Sequence, residues 1–169
     1  LDYLKAQHKR AKEKGFKLGH KIVRGAYLEL ENERAIEMSY PTPICASKQE
    51  TDDMFDSVME YMLNNLEDMH LFCGTHNENS CLLAMKMMKE KGFAKDDPRI
   101  WFGQLYGMSD NISFNLAENG YNTAKYLPFG PIEDVMPYLI RRAEENTSVA
   151  GQSSRELSLI TKERKRRKF

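Results

Sequence analysis

Two adjacent arginines, Arg141 and Arg142, lie in the run 137–146, Pro-Tyr-Leu-Ile-Arg-Arg-Ala-Glu-Glu-Asn, shortly after a Gly-Pro turn. Their chemistry is that of an anion clamp. A guanidinium is planar, permanently charged and donates in pairs, the geometry that a carboxylate accepts. Consecutive helix positions point roughly 100° apart, so the two forks converge on one anion only if it sits over the groove between their faces. The competing reading is a solvated helix face on which Glu144 and Glu145 neutralise the pair. Position in the fold decides between them.

Other groups able to do chemistry fall at the ends of short apolar runs: Lys21 and Arg24-Gly25-Ala26-Tyr27, Thr75-His76-Asn77, Gln104 and Tyr126. Together they offer cations, an amide, hydroxyls and an aromatic ring, and Gly25-Ala26 leaves room for a flat ring system. Each also has an ordinary reading. His76 would be a satisfied loop histidine, Tyr126 a core aromatic with its hydroxyl at the rim, and Lys21 and Arg24 flanking charges. Gln104 is harder to dismiss, because an amide buried in an apolar strand needs partners. There is no HExxH, no GxSxG elbow, no carboxylate cluster and no glycine-rich phosphate loop after the first strand. Hydrolytic and metal chemistry are therefore poorly supported.

The elements that would position these groups follow from periodicity. Residues 1–14 read as an amphipathic helix stopped by Gly15, and residues 28–39 as a second helix. Lys21 to Tyr27 reads as a short strand with β-branched Ile22 and Val23. A long helix capped by Thr51 carries Phe55, Val58, Met59, Met62, Leu63 and Leu66 at intervals of three and four. Strands are expected at residues 70–74, 100–105 and 123–128, with helices at 81–91, capped by Asn79 or Ser80, and at 111–119. Alternating strands and helices argue for a parallel sheet, and strands apolar throughout argue for cover on both faces. The fold class is α/β, and a barrel is favoured over an open doubly wound sheet. A complete (βα)8 barrel takes roughly 200–250 residues or more, so four units amount to about half of one. In such barrels the ligand lies over the C-terminal strand ends, where the candidate groups fall.

Composition bounds the rest. The 169 residues carry 25 basic and 25 acidic side chains, a balance that steers the protein toward neither nucleic acid nor membrane and leaves a small-molecule ligand as the default. No apolar run approaches the ~18–20 residues of a membrane span. Three cysteines without CxxC spacing make neither a disulfide framework nor a zinc site, and fit a reducing compartment. Met54, Met59, Met62, Met85, Met87 and Met88 fall on helical apolar patterns and are expected to fill a core. The basic run 162–168 reads as a solvated helix end rather than a nucleic-acid site.

The blocks Lys21-Ile-Val-Arg-Gly-Ala-Tyr27, Tyr40-Pro41, Lys48-Gln-Glu-Thr-Asp52, Thr75-His-Asn77, Phe102-Gly-Gln-Leu-Tyr-Gly-Met-Ser-Asp110, Lys125-Tyr-Leu-Pro-Phe-Gly-Pro131 and the run 137–146 stand in one order and spacing. In these the sequence resembles the proline dehydrogenase family, in its eukaryotic single-function branch, over residues 1–160, with 161–169 as a basic tail. The resemblance implies a distorted (βα)8 TIM-type barrel of which this chain covers strands five to eight. It implies FAD as cofactor, oxidation of L-proline to pyrroline-5-carboxylate, a quinone acceptor, mitochondrial localisation and a peripheral association with a membrane. Carried over residue by residue, Arg141 and Arg142 grip the substrate carboxylate, and Tyr126 and Tyr138 wall the proline ring. Lys21, Arg24, Gly25, Ala26, Tyr27, Thr75, His76, Gln104 and Glu145 line the flavin. Lys21 is also the candidate for a catalytic cation; bacterial members usually have Arg there, and Lys keeps the charge without the bidentate fork. The family's first strands, with an active-site lysine and aspartate, would precede Leu1. The chain is then expected to expose an open sheet edge on each side and to need its N-terminal half, a second chain or a dimeric arrangement. Two alternatives stay open: hydroxyproline dehydrogenase, and a non-catalytic half-barrel acting as a binding or assembly module.

Overall fold

In the computed structural model, residues 1–25, 27–148 and 150–167 are described, with side chains through Arg142, Ala26 excepted, and over residues 157–167. The chain divides into two compact units, Leu1–Tyr126 and Leu127–Phe169.

The first unit opens with α1 (Asp2–Lys14), which Gly15 ends at φ 72°, its N–H reaching the Ala11 and Lys12 carbonyls. A left-handed residue at that position suits glycine because a Cβ would meet its own backbone. Strand β1 (Leu18–Ile22) leads to α2 (Leu28–Glu37). Next come α3 (Lys48–Asn64), β2 (Met69–Gly74), α4 (Glu78–Glu90), β3 (Ile100–Leu105), α5 (Asp110–Glu118) and β4 (Thr123–Tyr126). The strands form one four-stranded sheet in the order β1-β2-β3-β4, every pair parallel. The second unit holds α6 (Ile132–Ser148), with Pro137 inside it, and α7 (Ala150–Arg167).

The α/β class and the parallel sheet match the sequence expectation, with local differences that have physical causes. β1 starts earlier and ends earlier than the run 21–27. The caps also move. Ser47, not Thr51, caps α3, accepting from the Glu50 N–H, while the Glu50 carboxylate accepts at 2.9 Å from the N–H of Ala46, one residue before the cap, a variant of the capping box that Ser-x-x-Glu spells. Thr51 lies inside the helix and donates back to the Ser47 carbonyl at 3.0 Å. Asn77, rather than Asn79 or Ser80, caps α4 by accepting from both of their backbone N–H groups.

The core lies between one face of the sheet and the helices. Leu71, Cys73, Ile100 and Phe102 meet Met59, Met62, Leu63 and Leu66 of α3 and its C-terminal turn, Cys81, Ala84 and Met88 of α4, and Ile112 and Leu116 of α5. Each large apolar side chain buried there contributes about 1.5–3 kcal/mol. Met54 departs from the expected pattern and is exposed.

The other sheet face is not covered by any element of this unit. Burial alternates along β2, with Met69, Leu71 and Cys73 buried and His70, Phe72 and Gly74 more open, and Val23, Trp101 and Tyr126 are 50%, 39% and 46% exposed. Cover on both faces, as the apolar strands suggest, is thus not what this unit supplies. Lys21 of β1 brings its ammonium to 4.9 Å from the ring centre of Tyr126 in β4. Three strand spacings of a flat sheet, with Tyr126 four residues further along its strand than the position level with Lys21, would hold these positions roughly 19 Å apart, beyond the reach of a reclining lysine stem and a tyrosine ring together. Their meeting marks this face as the concave side of a curled sheet.

Candidate active site at the C-terminal strand ends

A parallel sheet puts all its C-terminal strand ends at one edge, so residues distant in sequence become neighbours there. On the concave face the pairing runs Lys21 beside Phe72 and Phe72 beside Trp101, and one level up Gly74 beside Gly103 and Gly103 beside Ala124. The upper level therefore has no side chain larger than a methyl across β2, β3 and β4. Over it lie the Lys21 ammonium, 5.8 Å from the Phe72 ring centre, and the face of Tyr126. The Phe72 ring lies over Gly103 and the Lys21 stem beside Gly74, so this is a floor layered with an aromatic ring and a cation, with Tyr126 as its wall.

The next residues of β1 turn the other way. Arg24 is directed to the helix side, where it ion-pairs with Asp52, donates to Ser80 Oγ at 2.5 Å, and stacks 4.0 Å from the Phe55 ring centre. Ser80 in turn donates to Asp56 at 2.8 Å. The hydrogen bond from Lys48, with those from Arg24, holds the Asp52 carboxyl below its ordinary range. Arg24 thus ties the end of β1 to α3 and α4, and its guanidinium lies beneath the tip rather than over the concave face. Gly25 (φ 74°) and Tyr27 (φ 60°) then reverse the chain into α2. Glycine adopts that conformation at no steric cost, whereas a non-glycine residue such as Tyr27 is held there by its surroundings. Tyr27 is 68% exposed. Ala26 lies outside the described residues.

At the tips of β2 and β3 the candidate polar groups join one network. The Gln104 side chain, 2% exposed, donates from Nε2 to the Thr75 carbonyl at 3.2 Å and accepts at Oε1 from Ser113 Oγ at 2.7 Å. His76 Nδ1 is 2.9 Å from Ser109 Oγ, and Ser109 precedes α5 in the left-handed region at φ 50°. The Thr75 hydroxyl accepts the Asn77 N–H at 3.1 Å. Gln104 therefore stands on the covered side of the sheet and fixes the His76 loop against α5 from below. Lys125 donates to the Met108 carbonyl and to Asp110 at 2.6 and 2.7 Å, bracing the same loop from β4.

In the second unit, Tyr138, Arg141 and Arg142 share α6. The Arg142 guanidinium lies 5.3 Å from the Tyr138 ring centre, the contact expected one helical turn apart. Arg141 is exposed and Arg142 half-buried. Pro137 cannot donate to the Glu133 carbonyl, which loosens the helix one turn before the arginine pair. The Glu145 side chain lies outside the described residues.

Other chemistries find little support among the described residues. No group of three or more His, Cys, Asp or Glu side chains could hold a metal ion. Burial drives the Cys73 thiol far up and pushes the Cys81 thiol up to about 12, so neither supplies a thiolate near neutral pH. The sequence reading missed Phe72, Gly74, Gly103, Ser109 and Ser113. Glycine inside an apolar strand was the available signal for two of them, since it marks a close approach; nothing local distinguished the serines.

The family model described as Proline dehydrogenase matches residues 1–155. Proline dehydrogenase 1, mitochondrial, of Dictyostelium discoideum is 42% identical over 159 residues, covering 91% of this chain and 28% of that protein. The hydroxyproline dehydrogenase of Bos taurus is 40% identical over 157 residues, covering 90% and 34%. This chain thus spans between about a quarter and two fifths of the length of the curated relatives it matches. Among solved structures, proline utilization A from Bdellovibrio bacteriovorus, inactivated by N-propargylglycine, superposes with a TM-score of 0.80 at 27% identity, over 89% of this chain and 15% of that one. Such neighbours are TIM-like barrels, and the curled parallel sheet fits a sector of one. With the family's model spanning the whole first unit and about two thirds of the second, and a relative 42% identical over 91% of the chain, the chain belongs to the proline dehydrogenase family.

Proposed function

We propose that this chain supplies strands five to eight of a distorted (βα)8 barrel in a mitochondrial FAD-dependent proline dehydrogenase. The observation that carries the reading is the concave face: Gly74, Gly103 and Ala124 in a row beneath Lys21 and Tyr126, at the C-terminal ends of parallel strands. The Phe72 ring lies flat over Gly103 and the Lys21 stem passes Gly74, so a planar ring would rest on this low layer, where any side chain beyond a methyl on the strand row would lift it. These residues would hold FAD, which would supply an acceptor for the hydride on the carbon next to the proline nitrogen that does not bear the carboxylate. Loss of the nitrogen's proton then leaves the C=N bond of pyrroline-5-carboxylate, and a quinone receives the electrons.

This chain's own residues bind and orient. Arg141 and Arg142 take the substrate carboxylate with paired, charge-assisted hydrogen bonds, and Tyr126 and Tyr138 wall the ring. Lys21 places a positive charge where negative charge arrives with the electrons. Gly25, Ala26, Tyr27, Thr75, His76 and Glu145 line the cofactor. Arg24 and Gln104 belong to the same site, serving it from the helix-covered side. The rest of the barrel covers the concave face and the free edges of β1 and β4, supplied by an N-terminal half in the same protein or a second chain. A peripheral membrane contact would bring the quinone within reach.

The test uses full-length protein. A flavin absorbance that bleaches on adding L-proline is expected; a full-length preparation without flavin would sink the reading. A second reading, hydroxyproline dehydrogenase, is favoured by the bovine relative at 40% identity, and stronger bleaching by 4-hydroxyproline than by proline would select it. A non-catalytic half-barrel is the remaining alternative, selected if the full-length protein binds no flavin yet still assembles with a partner chain.

A further inference from the structure

Two strand glycines have a role that neither turn geometry nor positive φ explains. Gly74 ends β2 and Gly103 lies inside β3, paired side by side on the concave face. A methyl group on Gly74 would lie 2.9 Å from the Ile22 carbonyl oxygen, 2.9 Å from Val23 Cγ1 and 3.3 Å from Lys21 Cε. A methyl group on Gly103 would clash directly with the edge of the Phe72 ring, meeting Cε1 and, at 2.5 Å, Cζ. The Phe72 ring lies over Gly103 because nothing stands there, and Gly74 admits the close approach of the Ile22 carbonyl and Val23, with the Lys21 stem at the margin of the same gap. The ammonium then rests near two aromatic faces, 5.8 Å from Phe72 and 4.9 Å from Tyr126. Such contacts orient a cation without neutralising it, as a carboxylate partner would.

We propose that Gly103 is a positioning residue for Lys21: its missing side chain lets the Phe72 ring lie down across the sheet, so that the ammonium is held beside that ring at the strand ends. The inference rests on the flavin reading above, because it is there that a fixed charge matters. Gly103 replaced by alanine displaces the ammonium by lifting the Phe72 ring, whereas a methyl on Gly74 would press first on the Ile22 carbonyl and Val23.

The experiment uses full-length, flavin-loaded protein and reads the midpoint potential and visible spectrum of the flavin together with kcat and KM. Lys21→Met is expected to shift the potential to more negative values. Gly103→Ala should shift it in the same direction, with kcat down roughly tenfold and KM for proline little changed, the carboxylate being held elsewhere. Combined with Lys21→Met, Gly103→Ala should add no further shift, since the group it acts through is gone. With Phe72→Leu, the effect of Gly103→Ala should vanish, and a Gly103→Ala protein too unstable to purify should be rescued by Phe72→Leu. An unchanged potential in Gly103→Ala, additive shifts in the Lys21→Met pair, or no rescue by Phe72→Leu would each overturn the proposal. Absence of flavin in the unsubstituted protein would instead overturn the functional reading beneath it.

Discussion

Arg141 and Arg142 occupy consecutive positions of α6, so their side chains leave the axis at different angles, one exposed and one half-buried over Tyr138. A carboxylate set between them would take charge-assisted bonds of about 1.5–3 kcal/mol from each, so Arg141→Met and Arg142→Met should each raise KM for proline on the order of 10- to 100-fold. Flavin content should stay near normal, and an unchanged KM in both variants would remove the clamp. Gln104 poses a different problem. Both ends of its amide are used, toward the Thr75 carbonyl and Ser113 Oγ, so Gln104→Leu leaves two buried partners to find others. A loss of about 1–3 kcal/mol in urea unfolding is expected. Ser113 loses less than Thr75, because its hydroxyl also lies 3.3 Å from the Ser109 carbonyl. That Gln104 is special was legible from an amide inside an apolar strand. That it serves the covered side was not, because the pleat assigns a face only once the strand's register is known.

At the scale of elements, the sequence carries its signals at the ends. Gly15, Gly92 and Gly120 mark helix exits at φ 72°, 72° and 83°. Helix starts were read less well, since several polar residues compete for each cap and only the backbone shows which has left the helical region. Ser47, at φ −141°, is such a residue, and Thr51 is not. Ser47→Ala should cost about 1 kcal/mol in thermal unfolding while Thr51→Ala costs less. Asn77→Ala should cost about the same as Ser47→Ala, with an added effect on activity, because the cap of α4 follows His76 directly. An equal loss for Thr51 and Ser47 would contradict the cap assignment.

At the scale of the whole first unit, a charged cluster lies at the opposite edge of the sheet from the candidate site. Asp68, before β2, accepts from Lys17 at 2.7 Å and meets His8 and Lys12 at 3.2 Å each. The Lys17 hydrogen bond, followed by those of His8 and Lys12, holds its carboxyl well below the ordinary value of 3.8. Asp97, bonded by Arg99, and Asp52 are shifted the same way. A depressed folded-state value means stability that is fully present above 3.8 and lost as pH falls through the lower, folded value. Denaturation midpoints should therefore be flat above about pH 5 and drop below about pH 4, with a shallower drop in Asp68→Asn. A slope unaffected by that substitution would move the acid sensitivity elsewhere. The same unit leaves one sheet face and two strand edges without cover, so the 169-residue chain alone should associate or bind a fluorescent apolar dye more than the full-length protein does.

The sequence by itself determined the alternation of strands and helices, the parallel sheet, the apolar faces of α3 and α4 and the family, because these depend on local spacing and on residues in a fixed order. Tertiary structure alone decided on which side of the sheet Lys21, Arg24, Gln104 and Tyr126 lie. Lys21 and Tyr126 are more than a hundred positions apart, yet meet across the curled sheet at 4.9 Å. Lys21 and Arg24 are three positions apart, yet one lies over the concave face and the other reaches down to Asp52 and Ser80. The alternating pleat, the turn after β1 and the curl of the sheet set those directions, and they depend on register and closure rather than on composition.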